Sequence, residues 1–527
     1  MSWGRGLAEG PGLASFNPFI HEVHLHGALQ RAQYYLLGLV LFPIRFLLAS
    51  ISLFLMWPFA VLRVAGLSEE ELREPITERR KIFHYIIRFL SRLLYFVSGF
   101  HWIRIKGRKA TCVEAPILVV APHTSFFDPV ILVPCNLPSV VSRVENLKIP
   151  VIGALLRFNQ SILVSRHDPA SRKKVVEEVK RRATSNGRWP QVLFFPEGTT
   201  SSGQVLLKFK PGAFIAGVPI QPVLIRYPNK MPATIWTWKG NGVFKVLWLS
   251  LSQLFIRLEI EFLPVYHPTQ EEQNDPMLYA CHIQKLMSTE LGIRATEYEI
   301  VGDVPVTPIG QLRVALDPGI WKLGKDLKKL GVTPAALPSL LDISKSESPR
   351  KVQPEELATR LNVRDSSTIS KIISYFQQDC NGAVDFHEVI LALAAQDGSN
   401  KAADIAQLAF QLFSEPCQEG ELTLYEAGFS SILRTLLGTS ASDCSKVFAE
   451  ICLENETEGL SGDVFQEFAL SHPDYSQLFL IYLRPPMTHK RRQQTEEKLT
   501  LVPENGTCIN GPMVNGPSST ASHVKTD

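Results

Sequence analysis

The chain has 527 residues, of which 45% are hydrophobic and 20% charged, and this composition excludes a wholly disordered protein and allows three or four domains. The net charge of +3 is divided unevenly, because residues 101–305 carry +8 and residues 306–485 carry −9. We therefore expect a basic module and an acidic module with different partners. The eight cysteines form no C-x-x-C pair, which argues against a zinc ribbon or disulfide framework and favours reduced thiols facing the cytosol.

The first hundred residues predict a membrane protein. Residues 1–33 are expected to be a cytosolic tail and lack the pattern of a cleaved signal peptide. Tyr34–Leu62 is uncharged at 28 of its 29 positions, and as one straight helix it would be roughly 43 Å long, against about 30 Å for a hydrocarbon core. Pro43 and Arg45 predict a break, which leaves either one tilted span or a bent hairpin within one leaflet. Arg45 is expected near an interface or facing protein.

A second apolar segment, Ile82–Phe100, completes the predicted membrane region of residues 34–100. Arg88 and Arg92 are four residues apart and share one helix face, while Phe, Leu and Ile cover the rest. A basic, aromatic-rich helix of this kind is typical of the membrane interface, although a second span stays open.

Residues 101–305 alternate short apolar runs with amphipathic segments, which predicts an α/β domain. Helices are expected to begin near Pro129, Pro169 and Leu278. The predicted strands are Trp102–Lys106, Ile117–Ala121, Ile162–Ser165, Val192–Phe195, Ile220–Arg226 and Arg257–Phe262.

The first chemical motif is APHTSFFDPVIL, which follows the predicted strand Ile117–Ala121. Asp128 followed by Pro129 is a helix start, so a five-residue turn can bring the carboxylate back against the ring of His123. An imidazole held by a carboxylate is a good general base, because the acid fixes its tautomer and stabilises its protonated form. The alternative is that His123 is an ordinary loop residue and Asp128 only a cap.

The second motif is VLFFPEGTTSSG, in which an apolar strand runs directly into Glu197, Gly198 and Thr199. Ligand sites in α/β folds cluster at such strand ends, although a Pro-Glu-Gly turn alone is unremarkable. Basic residues flank both motifs, and those nearest to them are candidates for holding phosphate groups: Arg166, Lys208 and Lys210.

Residues 306–352 are predicted to be a linker, and residues 353–483 short helices joined by acidic loops. One loop resembles a 12-residue EF-hand calcium loop, with Asp379, Asn381, Gly382 and Glu388 at positions 3, 5, 6 and 12. Gln377 at position 1 and Cys417 at position 3 of a second loop are poor ligands. We therefore expect an EF-hand-like fold with a structural or partner-binding role, and calcium binding at Asp379, Asn381 and Glu388 is the weaker alternative. The tail 484–527 is expected to be disordered.

Four blocks, taken together, resemble the glycerolipid acyltransferase family. They are His123-Thr-Ser-Phe-Phe-Asp128, Val164-Ser-Arg166, Phe195-Pro-Glu-Gly-Thr199 and Val218-Pro-Ile-Gln-Pro222. The resemblance narrows to the lysophosphatidylcholine acyltransferase branch through four further features: Asn17-Pro-Phe-Ile-His-Glu22, Lys208-Phe-Lys-Pro-Gly-Ala-Phe214, Arg226-Tyr-Pro-Asn229 and the acidic C-terminal extension. LLRFNQSILVSRHDPASR and YLRPP are most similar to the group of that branch that acylates lysophosphatidylethanolamine and lysophosphatidylcholine.

The resemblance implies an α/β acyltransferase domain, N-terminal membrane helices and an all-α EF-hand-like C-terminal module. It implies acyl transfer from acyl-CoA to a lysophospholipid hydroxyl, with His123 and Asp128 catalytic and no metal or resident cofactor. Residues expected to bind substrate are Arg166, Glu197, Gly198, Thr199, Lys208, Lys210 and Pro222. The expected location is the endoplasmic reticulum membrane with the catalytic domain facing the cytosol, among membrane phospholipids and without nucleic acid.

One departure from the family pattern bears on the acceptor. Relatives that act on lysophosphatidate carry Arg after Glu-Gly-Thr, where this chain has Thr200. An Arg suits a phosphomonoester dianion, so Thr200 favours lysophosphatidylethanolamine and lysophosphatidylcholine, with lysophosphatidylserine and lysophosphatidylglycerol open. The alternatives are a lysophosphatidate acyltransferase and an inert membrane scaffold that carries an EF-hand module.

Overall fold

The computed structural model describes residues 17–479, and all structural statements below refer to this part of the chain. The residues left out within it are 24, 26, 77–79, 166–167, 317–318, 330–349, 362, 364, 397–399, 418–419 and 477. The expected disordered tail 484–527 and most of the expected N-terminal tail therefore lie outside the described residues.

The N-terminal region consists of three helices, α1 (Ala28–Val64), α2 (Glu69–Leu72) and α3 (Lys81–Val97). Helix α1 runs without interruption through Pro43 and Pro58, so the predicted break at Pro43 is wrong. A proline inside a helix removes one backbone hydrogen bond, and the packing of α1 along neighbouring elements offsets that loss. Tyr34–Val64 is long and apolar enough to cross a membrane, with a mean hydropathy of 2.2.

The described part of the N-terminal and α/β regions contains eleven short strands, of which the first precedes α1. They are β1 (Ile20–His21), β2 (Ile103–Lys106), β3 (Ile117–Ala121), β4 (Ser139–Arg143), β5 (Ile162–Val164), β6 (Val192–Phe194), β7 (Val205–Leu206), β8 (Ile220–Arg226), β9 (Lys239–Gly240), β10 (Leu258–Phe262) and β11 (Arg294–Ala295). Seven of them form one sheet in the order β2-β10-β8-β3-β6-β4-β5. The neighbouring strands β8, β3, β6, β4 and β5 are parallel to one another, and β10 is antiparallel to β8.

The sheet is covered on both faces, as its uniformly apolar central strands require. Ile117 and Val119 of β3 face one hydrophobic cluster, and Leu118 and Val120 face the other. The helices of this domain are α4 (Ile152–Phe158), α5 (Pro169–Ala183), α6 (Val243–Leu251), α7 (Gln270–Asn274) and α8 (Pro276–Leu291). The predicted α/β domain is thus confirmed as a mixed sheet with helices.

The predicted linker 306–352 is wrong in its first part. Strands β12 (Glu299–Val301), β13 (Val304–Ile309) and β14 (Leu312–Ala315) form an antiparallel sheet, followed by α9 (Gly319–Lys329). The boundary placed after residue 305 therefore cuts through β13. Leu312, Val314, Ile320 and Leu323 are buried in the core of the C-terminal helices, so this segment belongs to that module rather than connecting to it.

The C-terminal module is a set of short helices around one hydrophobic core. After β15 (Lys351–Val352) they are α10 (Pro354–Arg360), α11 (Ser366–Ile373), α12 (Phe386–Gln396), α13 (Ala402–Phe413), α14 (Glu426–Leu437), α15 (Ala441–Asn455) and α16 (Gly462–Leu470). Strand β16 (Val384–Asp385) pairs with β15, and β17 (Glu415–Pro416) pairs with β18 (Leu422–Thr423). A further bridge joins Leu424 to Leu460, so the loops between helices are connected in pairs.

Candidate active site

His123 stands on the turn that leaves β3 at the carboxyl edge of the parallel strands. Its Nδ1 lies 2.7 Å from Oδ2 of Asp128, which begins a 3₁₀ helix at Asp128–Leu132. The same Oδ2 accepts the backbone N–H groups of Thr124 and Ser125 at 2.7 and 2.9 Å. The predicted contact between His123 and Asp128 is present. The imidazole keeps 20% of its surface exposed, whereas the carboxylate is fully buried.

A third residue, Tyr227, completes the contacts of the carboxylate. Its hydroxyl donates to Oδ1 of Asp128 at 2.6 Å. Burial, and then the charge of Asp128, raise the pKa of Tyr227 well above its usual value, so the hydroxyl stays protonated and acts as a donor. The sequence places Tyr227 in a family-like motif without a role. Its position just after β8, the neighbour of β3, is the signal that could have identified it.

Phe195 supports the other side of the imidazole. Its ring stacks on that of His123, with centroids 4.2 Å apart and planes inclined by 22°. With Nδ1 held by Asp128 and one ring face covered by Phe195, the imidazole has a fixed orientation. Its Nε2 is the nitrogen left to exchange a proton with a substrate.

Glu197 lies beneath the His123 turn rather than facing a substrate. The side chain is fully buried, and its two oxygens accept the backbone N–H groups of His123 at 2.6 Å and Leu207 at 3.1 Å. Burial raises the pKa of Glu197 to about 8. The expectation that Glu197 contacts the acceptor does not match this geometry, because the side chain has no exposed surface and its oxygens instead hold the backbone of His123 and Leu207.

The rest of the second motif forms a loop beside His123. Gly198 is exposed and adopts a φ of +68°, a conformation that glycine reaches without strain. Thr199 is half-buried. The N–H of Ser201 donates to the carbonyl of His123 at 2.8 Å, so the two predicted motifs are brought together as one surface.

The remaining predicted substrate-binding residues are placed differently from expectation. Lys208 pairs with Glu297 at 2.6 Å, and Lys210 pairs with Glu299 at 2.9 Å, so both ammonium groups have carboxylate partners. Pro222 is buried within β8, opposite Val119 of β3, and supports the sheet. Arg166 lies outside the described residues.

The motif at residues 17–22 braces this loop from the N-terminal side. The carbonyl of Pro18 accepts the N–H of Ser202 at 2.8 Å, and β1 pairs with β9. Phe19 is fully buried against Leu207 and Tyr298. The contact of this motif with the loop after Glu197 joins residues distant in sequence, so the motif was recognised only as a family resemblance.

The calcium candidates carry cationic partners. Glu388 is buried and accepts from Arg434 at 3.0 Å, and burial raises its pKa. Asp379 lies 3.3 Å from Lys351, and its other oxygen accepts the N–H of Asn381. Across the described residues, no group of three or more His, Cys, Asp or Glu side chains could hold a metal ion.

The sheet, the histidine–aspartate pair and the glutamate loop define an acyltransferase domain, and residues 103–226 match the family model described as Acyltransferase. The chain is 59% identical over 490 residues to Lysophospholipid acyltransferase LPCAT4 of Xenopus tropicalis, covering 93% of this chain and 94% of the relative. Identity to LPCAT4 of Homo sapiens is 54% over 506 residues, with 96% and 95% covered. Lysophosphatidylcholine acyltransferase 1 of Mus musculus is 40% identical over 478 residues, with 90% and 88% covered.

The chain belongs to the lysophospholipid acyltransferase family. The family resemblance read from the four sequence blocks is confirmed, and so is the conclusion that the protein is an enzyme. The crystal structure of a 1-acyl-sn-glycerophosphate acyltransferase from Thermotoga maritima covers 50% of this chain and 97% of its own, with 17% identity and a TM-score of 0.33, which is too low to compare the two folds.

Proposed function

We propose that the protein transfers a fatty acyl group from acyl-CoA to the free hydroxyl of a lysophospholipid, with His123 as general base. Nε2 of His123 takes the proton of the acceptor hydroxyl as its oxygen attacks the thioester carbonyl carbon. The carbon–sulfur bond then breaks, and the departing CoA sulfur receives the proton from the imidazolium. The observation that carries the proposal is the 2.7 Å contact between His123 and the buried Asp128, because it holds Nδ1–H toward the carboxylate and leaves Nε2 basic.

We propose that the acceptors are lysophosphatidylethanolamine and lysophosphatidylcholine, with lysophosphatidate a poor substrate. Thr200 occupies the position after Glu-Gly-Thr and is 9% exposed, so this loop offers a small hydroxyl rather than a guanidinium. A phosphodiester carries one negative charge and needs less compensation than a phosphomonoester dianion. The names of the relatives, which include lysophospholipid and lysophosphatidylcholine acyltransferases, support this choice.

We propose that α1 lies within one leaflet on the same side of the membrane as the catalytic domain. Its first half contacts α6, where the ring centroids of Phe42 and Trp248 are 4.8 Å apart. Its second half contacts α3 and α4 through Met56 and Ala60. Phe42 and Ala60 are separated by roughly 27 Å along a helix. Because α1 contacts the same domain over that length, it is more easily tilted or parallel to the membrane plane than perpendicular to it.

We propose that the protein resides in the endoplasmic reticulum membrane with its catalytic domain facing the cytosol. The family resemblance and the scattered, unpaired thiols support this location.

We propose that the C-terminal module is EF-hand-like and structural, and that it acts without calcium. Gly382 and Gly420 stand at the sixth position of the two sequence-derived loops, and both adopt positive φ values of +80° and +82°, as the turn of such a loop requires. The carboxylate of Asp379 is paired with Lys351 and that of Glu388 with Arg434. These ion pairs balance the carboxylate charges without calcium, which supports a structural role for the module.

The test of the proposed function is an acyl-transfer assay on microsomes with labelled acyl-CoA and a panel of lysophospholipid head groups. His123→Ala should reduce turnover by on the order of 10²–10⁴, because general-base catalysis contributes about that much, while membrane association persists. His267→Ala, at an exposed histidine, is the matched control and should keep full activity. Near-full activity of His123→Ala would reject the assignment, and a strong preference for lysophosphatidate would reject the interpretation of Thr200.

A further inference from the structure

A groove of about 480 Å³ lies between helix α3 and the edge strand β2, apart from the His123 loop. Such a volume is typical of a pocket for part of a small amphiphile. Its walls are formed by Tyr85, Arg88, Phe89 and Arg92 of α3 and by Ile103 and Ile105 of β2. Val133 and Pro134 are also part of its lining.

The groove is positively charged without internal compensation. No carboxylate is among the described residues that line it. Nε of Arg88 donates to the carbonyl of Val133 at 3.2 Å, and the guanidinium of Arg92 donates to the carbonyls of Phe100 and His101 at 3.0 and 2.7 Å. These neutral acceptors hold both side chains in position but leave both charges to be balanced by an anion.

The walls between the two arginines are apolar and exposed. Tyr85, Phe89 and Ile105 expose 61%, 67% and 52% of their surfaces. Helix α3 packs along α1, so these side chains extend the apolar surface that α1 presents. An exposed apolar patch of this kind marks a contact with a membrane or a ligand. The positive charges of Arg88 and Arg92 within it favour a ligand that carries a negative charge.

We propose that this groove binds an anionic glycerophospholipid of the bilayer, with its phosphate between Arg88 and Arg92 and one acyl chain along Phe89 and Ile105. The site is a binding site and takes no part in acyl transfer. The proposal rests on the membrane contact of α1 in the proposed function, because α3 packs along α1. The two arginines supply the charge selectivity, and the apolar walls exclude a small anion that lacks a chain.

The experiment uses the full chain, purified in a nonionic detergent, and brominated lipids that quench tryptophan fluorescence on contact. Trp102 is 75% exposed and precedes Ile103 of the groove. Brominated phosphatidylglycerol should half-quench at a concentration about tenfold lower than brominated phosphatidylcholine of the same chains, which corresponds to about 1.4 kcal/mol. Trp57 on α1 is also exposed and is quenched in both proteins, so the measured signal is the part of the quenching that Trp102→Phe removes.

The variants separate charge from fold. Arg88→Gln with Arg92→Gln should reduce the preference for phosphatidylglycerol below about twofold, and Arg88→Lys with Arg92→Lys should keep most of it, because the charge is retained. Ile105→Glu should weaken binding, whereas Val113→Glu, at a 61% exposed valine outside the groove, should not. These readouts do not depend on acyl transfer, so they can fail while the proposed function stands.

Three outcomes would overturn the proposal. The first is an unchanged phosphatidylglycerol preference in the double Gln variant. The second is equal quenching by both lipids in the wild type. The third is displacement of phosphatidylglycerol by inorganic phosphate or acyl-CoA at comparable concentrations, which would make the groove a phosphate or donor site instead of a lipid site.

Discussion

At the scale of single residues, Asp128 organises the active-site turn. Its two oxygens accept four donors, namely the ring of His123, two backbone N–H groups and the hydroxyl of Tyr227. A fully buried carboxylate is stable only when it is compensated in this way. The charge therefore fixes the imidazole tautomer and, at the same time, closes the turn that carries it.

The first prediction separates these two roles. Asp128→Asn should lower kcat by on the order of 10² or more, because the imidazolium loses its supporting charge.

Tyr227→Phe keeps that charge and removes one hydrogen bond to a charged group, which is worth about 1.5–3 kcal/mol. The kcat should therefore fall about tenfold or more, with the KM for acyl-CoA unchanged. An unchanged kcat in Tyr227→Phe would leave Tyr227 with a packing role alone.

The second prediction concerns the buried Glu197. Its pKa is raised from the ordinary 4.5 to about 8, so the folded protein holds a proton that the unfolded chain releases above about pH 4.5. The free energy of unfolding should therefore fall as the pH rises from about 5 to about 8. Glu197→Gln cannot ionise and should flatten this part of the profile of thermal unfolding in detergent. Glu458→Gln, at an exposed position, is the control, and an identical slope in Glu197→Gln would contradict the assignment.

Among the helices and strands, those with a clear local pattern of apolar residues could be predicted from the sequence. Strand β3 and strand β8 were predicted with their observed bounds, because β3 is a uniformly apolar run and β8 a mostly apolar one, and each ends at a polar motif. Strand β4, SVVSR, was missed because only two of its five residues are apolar. The boundary at residue 305 divided the hairpin of β13 and β14 between the α/β domain and the linker, because Pro305 and Pro308 interrupt the pattern of a strand. Neither the ion pair of Lys210 nor the burial of Glu197 could be predicted, because both depend on residues distant in sequence.

The third prediction follows from the loop between α11 and α12. A calcium ion there would have to displace Arg434 from Glu388 and Lys351 from Asp379, while Gln377 supplies no charge. Calcium affinity depends on the number and charge of its oxygen ligands, so calorimetric titration of the full chain should show no micromolar isotherm, and micromolar calcium should leave activity unchanged. A micromolar or tighter isotherm would overturn the structural assignment and make the enzyme a calcium sensor.

At the scale of the whole molecule, the sheet of β12, β13 and β14 joins the two modules. Tyr298, next to β12, packs against Phe19 and Leu207 of the catalytic domain. Leu312 and Val314 on β14 are buried in the helical core. These contacts form a hydrophobic connection between the two modules, which the predicted boundary at residue 305 does not include.

The fourth prediction is that the C-terminal module stabilises the catalytic domain. Truncation after Leu341 removes the partners of Leu323 and Leu327 on α9, which are almost fully buried, and should lower the detergent-extracted yield and the unfolding temperature. Acyl-chain preference among acyl-CoA donors should not change. Truncation after Arg484 is the matched control and should behave as the full chain. Equal yield and stability of both truncations would show that the module has no such role.

The contact of Arg45 has a consequence for how the protein is made. Its guanidinium donates to the carbonyls of Leu251, Gln253 and Leu254 at the end of α6, where a helix leaves carbonyls without partners. The last of these acceptors lies 209 residues further along the chain. At about 5–20 residues per second, the ribosome exposes α1 roughly 10–40 s before the partner of its only central charge exists. We therefore expect the final packing of α1 against the catalytic domain to follow the folding of the segment that ends at Leu254.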